Sequence, residues 1–142
     1  TPLYSSAASD VYKRQDMEEK KKVILVVEDD TDVRSMIVNY LGHMGFETVT
    51  AMDGMEGMQQ IESGRFDLVI TDIVMPYISG VGLVGILKQK FPHIPVIAIT
   101  GYGKEPETAA LEKEADLVLA KPVKMASLTE QVKALIKEKK EG

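Results

Sequence analysis

From residue 17 onward, short runs of Val, Ile and Leu alternate with longer stretches in which apolar residues return every three or four positions. The runs have strand length and the stretches have helical period, so the pattern predicts repeated βα units. Five strands are predicted: Val23 to Val27, Glu47 to Ala51, Asp67 to Thr71, Val96 to Thr100 and Leu117 to Ala120. Most are continuously apolar, as strands covered on both faces must be. The second, ETVTA, alternates polar with apolar and is therefore placed at a sheet edge.

The helices between them carry their own stop and start signals. The first begins near Thr31, with Asp30 or Thr31 in position to cap free N–H groups, and places Val33, Ile37, Tyr40, Leu41 and Met44 at helical spacing before Gly45 ends it. The second starts after Asp53-Gly54. The third runs from about Gly80 to Lys90 and stops before Phe91-Pro92. A short fourth is expected near Glu105 to Lys113. The last sets Leu128, Val132, Leu135 and Ile136 on one face, with Lys137, Lys139 and Lys140 near its negative dipole end. Five βα units of this size are most simply an open, doubly wound α/β fold, with a flavodoxin-like parallel sheet in the order 2-1-3-4-5. Right-handed crossovers put every strand's C-terminal end on one edge of that sheet.

Length and charge narrow the function. At 142 residues with 44% hydrophobic residues, the chain can bury one core but has no room for a second domain. Its net charge of −5, with acids and bases interspersed, leaves no basic footprint for nucleic acid or an anionic membrane surface. Without cysteine there is no disulfide framework or thiolate metal site, a composition suited to the cytoplasm. No apolar run approaches the roughly 20 residues that span a bilayer. Residues 5 to 15, SSAASDVYKRQ, read as a translated sequencing adapter, so residues 1 to 16 are set apart as a tail and one domain is assigned to 17 to 142, with Met17 as a plausible start.

The predicted strand ends bring Glu28, Asp29 and Asp30, then Asp72, Thr100 and Lys121, to one edge. Singly, each has an ordinary explanation: Asp30 as a helix cap, Thr100 as a strand residue, Lys121 as a surface lysine. Together they are harder to dismiss, because two unit charges about 4 Å apart repel by roughly 4 kcal/mol at a protein-like dielectric. Unless protonation or Lys121 relieves it, crowding Glu28, Asp29 and Asp72 calls for a cation. All-oxygen donors suit Mg²⁺, with Mn²⁺ as a substitute. Such a site stabilises a phosphoryl group, with Lys121 and Thr100 available to its equatorial oxygens. Asp72, alone after LVIT and followed by Ile-Val-Met-Pro, is the best candidate nucleophile, and attack by its carboxylate gives an acyl phosphate.

The motifs VILVVEDD, LVITDIVMP with Gly80 beyond, VIAITG and LVLAKP resemble, in order and over residues 22 to 138, the receiver domain of bacterial response regulators, including the single-domain chemotaxis type. The resemblance implies that Asp72 is phosphorylated by a histidine kinase or a phosphohistidine protein. It further implies that Mg²⁺ is held by Asp29, Asp72 and the Val74 carbonyl, with Glu28 acting through water. Thr100 and Lys121 would sense the phosphoryl group, and Lys121-Pro122 would be cis. The output would be a protein partner on the face of the fourth helix, fifth strand and last helix, and the only catalysis would be the domain's own phosphorylation and dephosphorylation.

Two positions depart from the family pattern. Val118 stands where an aromatic often couples to the threonine, and Ser79 replaces a common acid before Gly80. Val74 and Tyr102 lie where relatives tune hydrolysis, and their bulk implies a long-lived phosphoform. Rival readings fare less well. A dehalogenase-type phosphatase would need a second Asp where Val74 stands, and a dinucleotide-binding domain would need a Gly-rich turn where Glu-Asp-Asp stands. An unphosphorylated interaction module, or the terminal receiver of a hybrid kinase, remains as the alternative.

Overall fold

In the computed structural model, residues 21–73, 80–101 and 114–141 are described, and they form five parallel strands and four helices. In chain order these are β1 (Val23–Val27), α1 (Thr31–His43), β2 (Glu47–Ala51), α2 (Gly54–Ser63), β3 (Leu68–Asp72), α3 (Gly80–Lys90), β4 (Val96–Thr100), β5 (Leu117–Ala120) and α4 (Met125–Glu141). The strands pair in the order β2-β1-β3-β4-β5, with the alternating β2 at one edge. The helix expected near Glu105 to Lys113 lies outside the described residues, as do residues 1–20 and 74–79.

The pleat divides each central strand between two apolar layers. Leu25, Val27, Val69, Val96 and Ala98 face Ile61, Leu83, Val84 and Leu87 of α2 and α3, while Ile24, Val26, Leu68, Ile70, Ile97 and Ile99 face Ile37, Leu41, Leu128, Val132 and Ile136 of α1 and α4. Burial on both sides is why β1, β3 and β4 read as unbroken apolar runs. Each such Leu or Ile contributes about 1.5–3 kcal/mol of transfer free energy. Helix α2 approaches the sheet closely at one point: a Cβ on Gly57 would stand 3.2 Å from Val27 Cγ2 of β1. Gly45, with φ of 92°, turns the chain out of α1 in a conformation that L side chains rarely adopt.

Local capping follows the predicted signals. Asp30 rather than Thr31 caps α1, its carboxylate accepting from the N–H groups of Asp32 and Val33 at 2.9 and 3.2 Å. Asp53 does the same for α2 through Glu56 N–H at 2.8 Å. One strand differs from expectation by a residue: β3 begins at Leu68 and runs through Asp72. Asp67 is engaged otherwise, its carboxylate accepting from Val23 N–H at 2.8 Å, and it serves as the acceptor that starts β1.

Candidate functional site

The register decides which strand ends meet. Val27 lies opposite both Ala51 and Thr71, so Glu28 emerges level with Asp72. Asp72 lies opposite Ile99, and Thr100 opposite Ala120, so Lys121 leaves β5 one step beyond the threonine. Because Asp72 is itself part of the ladder, its carboxylate projects from a fixed backbone rather than from a loop. The Thr71 hydroxyl, fully buried, donates to the Asp72 carbonyl at 2.9 Å.

The expected acids come together. Carboxylate oxygens of Glu28, Asp29 and Asp72 all lie within 4.8 Å of one another. Glu28 is 1% exposed and Asp72 3%, whereas Asp29 is open to solvent. Lys121 reaches in from β5, its Nζ 3.2 Å from Asp72 Oδ2 and 3.2 Å from Glu28 Oε1. With Asp72 the geometry is that of a hydrogen bond. With Glu28 it is an ion pair out of line for one, and both Glu28 oxygens are buried without a hydrogen-bond partner among the described residues.

That arrangement shifts two titrations. Burial, followed by the adjacent Asp72 carboxyl, pushes Glu28 up to about 8 against the pull of Lys121. For Lys121, burial favours the neutral form, but the charge of Asp72 and its hydrogen bond, with Glu28 adding to them, outweigh it and raise the ammonium above its ordinary value. Protonation of Glu28 and the charge of Lys121 are therefore both used to relieve the crowding of carboxylates. A buried carboxylate whose oxygens lack hydrogen bonds among the described residues, beside two further carboxylates, also offers what a hard divalent cation requires. The donor set fits Mg²⁺.

Thr100 is fully buried at the end of β4, and its hydroxyl donates to the Leu119 carbonyl at 3.5 Å, a long and easily exchanged bond. The Lys121-Pro122 peptide is cis, as expected. Val118 is half-buried and packs against the layer under α2 and α3. Val74, Ser79 and Tyr102 lie outside the described residues.

Sequence reasoning missed Arg34. From the first turn of α1 its Nη1 donates to the Glu28 carbonyl at 2.8 Å. The available signal was electrostatic: a cation so near a helix N-terminus runs against the dipole and needs a local reason to be there.

Comparison with known proteins agrees with this geometry. Residues 24–133 match the family model described as the response regulator receiver domain. An uncharacterized transcriptional regulatory protein, YcbL of Bacillus subtilis, is 38% identical over 114 residues, covering 80% of this chain and 50% of its own. PrrA of Mycobacterium tuberculosis, a transcriptional regulatory protein, is 36% identical over 117 residues, covering 82% and 50%. The chain thus spans about half the length of these curated relatives. Among solved structures, a CheY-like receiver domain protein from Methanospirillum hungatei superposes with a TM-score of 0.80 at 33% identity, over 86% of this chain and 99% of that one. TrrA from Thermotoga maritima, a response regulator protein in complex with Mg(2+)-BeF, gives 0.75 at 35% identity, over 80% and 98%.

Proposed function

The chain belongs to the response regulator receiver domain family, and we propose that it takes a phosphoryl group on Asp72 from a phosphohistidine protein and changes a protein-binding face in response. The observation that carries this reading is the Asp72 carboxylate, nearly buried at the end of a central strand, 3.2 Å from Lys121 Nζ and within 4.8 Å of two other carboxylates.

Asp72 attacks phosphorus in line while the bond to the donor's imidazole nitrogen breaks. The imidazole leaves with the electron pair and takes up a proton. Positioning and charge stabilisation supply most of what such a loose transition state needs. Lys121, already paired with the nucleophile, is placed to follow the negative charge onto a phosphoryl oxygen. The Thr100 hydroxyl, held by the long bond to Leu119, can turn to a second oxygen. Glu28, Asp29 and Asp72 would hold Mg²⁺, with the Val74 carbonyl as a further oxygen donor. When bound, that ion neutralises charge that the acids and the phosphoryl group would otherwise oppose to each other. The complex of the related TrrA with Mg(2+)-BeF supports this assignment.

The domain then acts as a two-state switch, in which phosphorylation biases an existing equilibrium between conformations. Its partners are a histidine kinase or phosphotransfer protein on one side and an effector on the face that includes β5 and α4. Its place of work is the cytoplasm, and its only catalysis is its own phosphorylation and dephosphorylation. Residues 17–142 make up the receiver and 1–16 an extraneous tail. With bulky Val74 and Tyr102, the phosphoform is long-lived, and Val74→Asn with Tyr102→Glu should shorten its half-life.

The test is intact mass after acetyl phosphate treatment, with and without Mg²⁺, for wild type and Asp72→Ala. A Mg²⁺-dependent, hydroxylamine-labile gain of one phosphoryl group, absent from the variant, is expected. No gain in folded wild type, from acetyl phosphate or from a phosphohistidine protein, would leave the domain as an interaction module.

A further inference from the structure

The loop that carries the acids is held through both backbone groups of Glu28 and the carbonyl of Asp30. Glu28 N–H donates to Ala51 O at 3.0 Å, tying the loop to β2. The Asp30 side chain is committed to the N–H groups of Asp32 and Val33. Arg34 closes the frame from two directions. Its backbone N–H donates to Asp30 O at 2.9 Å, and its Nη1 donates to Glu28 O at 2.8 Å. The side chain reaches the loop because helical side chains lean toward their own N-terminus.

The Arg34 side chain therefore holds the peptide that leads into Asp29, while its backbone N–H makes the ordinary first bond of the helix to Asp30. Asp29 itself is exposed, yet its carboxylate lies in the 4.8 Å cluster. An exposed loop carboxylate would ordinarily lose conformational freedom when a cation fixes it. Holding the preceding peptide group in place beforehand removes part of that cost, which is how outer groups act on metal affinity.

We propose that Arg34 is a positioning residue for the divalent-cation site, its side chain holding the Glu28 carbonyl so that Asp29, the next residue, is already oriented toward Glu28 and Asp72. The inference rests on the reading above that this cluster takes Mg²⁺. Its sign is distinctive. A guanidinium beside a cation site repels the cation, so on charge alone removing Arg34 would tighten binding. As a clamp, its removal weakens binding.

The experiment is Mg²⁺ titration by calorimetry into the full chain, for wild type, Arg34→Met and Arg34→Lys, with urea midpoints and amide hydrogen exchange measured in metal-free buffer. The Mg²⁺ Kd is expected to rise roughly tenfold in Arg34→Met, in the range found for groups behind metal ligands. Arg34→Lys, which keeps a charged donor on a long stem, should recover part of the loss. The Asp29 and Asp30 amides should exchange faster in metal-free Arg34→Met than in wild type. Unchanged or tighter Mg²⁺ binding in Arg34→Met overturns the proposal. So does weaker binding that Arg34→Lys leaves unimproved and that merely follows a fall in urea midpoint. Wild type that binds no Mg²⁺ overturns the magnesium reading itself, an outcome distinct from binding lost only in the variant.

Discussion

At the edge where the strands begin, Asp67 accepts the N–H of Val23 at 2.8 Å, and Asp116 accepts that of Val96 at 2.7 Å while also pairing with Lys88. At the edge where they end, Glu28 has both carboxylate oxygens buried without a hydrogen bond among the described residues, and Lys121 lies 3.2 Å from it and from Asp72. The same chemical group closes the ladder at one edge and crowds its own kind at the other. Satisfied carboxylates lower the free energy of the fold. Crowded ones raise it, and that stored repulsion is available to whatever cation or phosphoryl chemistry relieves it.

Substitutions at the two edges should therefore separate activity from stability. The largest contrast is expected for Asp72→Ala, which should lose all phosphorylation yet unfold in metal-free urea no earlier than wild type, because a repelling carboxylate has gone. Early unfolding of this variant would mean that Asp72 is structural in the same sense as Asp67.

Asp116→Ala should do the reverse. Val96 is fully buried, and its N–H would lose its acceptor. A fall of about 2 kcal/mol in urea stability is expected for an orphaned buried donor, with phosphorylation retained in the folded fraction. A smaller loss would show that water replaces the carboxylate at this edge.

A pH series sharpens the same comparison. Glu28 titrates near its ordinary value of 4.5 when unfolded but near 8 when folded. Between those values the native state holds a proton that the unfolded chain has released. Stability from this group is thus present at low pH and falls as pH rises through about 8, the opposite of a well-paired carboxylate. Lys121, raised above its ordinary value, adds stability that is lost only at still higher, alkaline pH. Metal-free protein should accordingly lose stability between about pH 5 and 8, as followed by urea midpoint. Glu28→Gln should flatten the slope, and saturating Mg²⁺ should abolish it by favouring the ionised carboxylate. A slope that persists in Glu28→Gln would assign the effect to another group.

The smallest effect belongs to Lys90→Ala. Its 3.7 Å pair with Glu62 is more than half exposed on both sides, so the unfolding free energy from urea titration should change by less than about 0.5 kcal/mol. A larger change would mean that the Lys90 stem, not its charge, packs against the fold.

Much of this was legible in the chain. The bounds of β1, β2, β4 and β5 were legible, and for β1 and β4 this is because burial on both faces leaves a simple compositional trace. The alternation of ETVTA placed β2 at the edge for the converse reason. The position of the acids at strand ends followed from topology, since parallel strands joined by right-handed crossovers finish on the same side. The one-residue shift at β3 lies at both ends: Asp72 pairs with Ile99 and extends the ladder, while Asp67 meets Val23 through its backbone N–H and its carboxylate.

By itself, the sequence determined the periodicity, the sheet order, the capping role open to Asp30, and the set of residues that meet at one edge. All of these follow from near-neighbour pattern and chain connectivity. Only the tertiary structure decided that Lys121 stands between Glu28 and Asp72, that Glu28 has no hydrogen bond to its carboxylate among the described residues, and that Arg34 folds back onto the acidic loop. Those are matters of ångströms between side chains on different elements. They depend on register and burial, which a one-dimensional pattern constrains but does not measure.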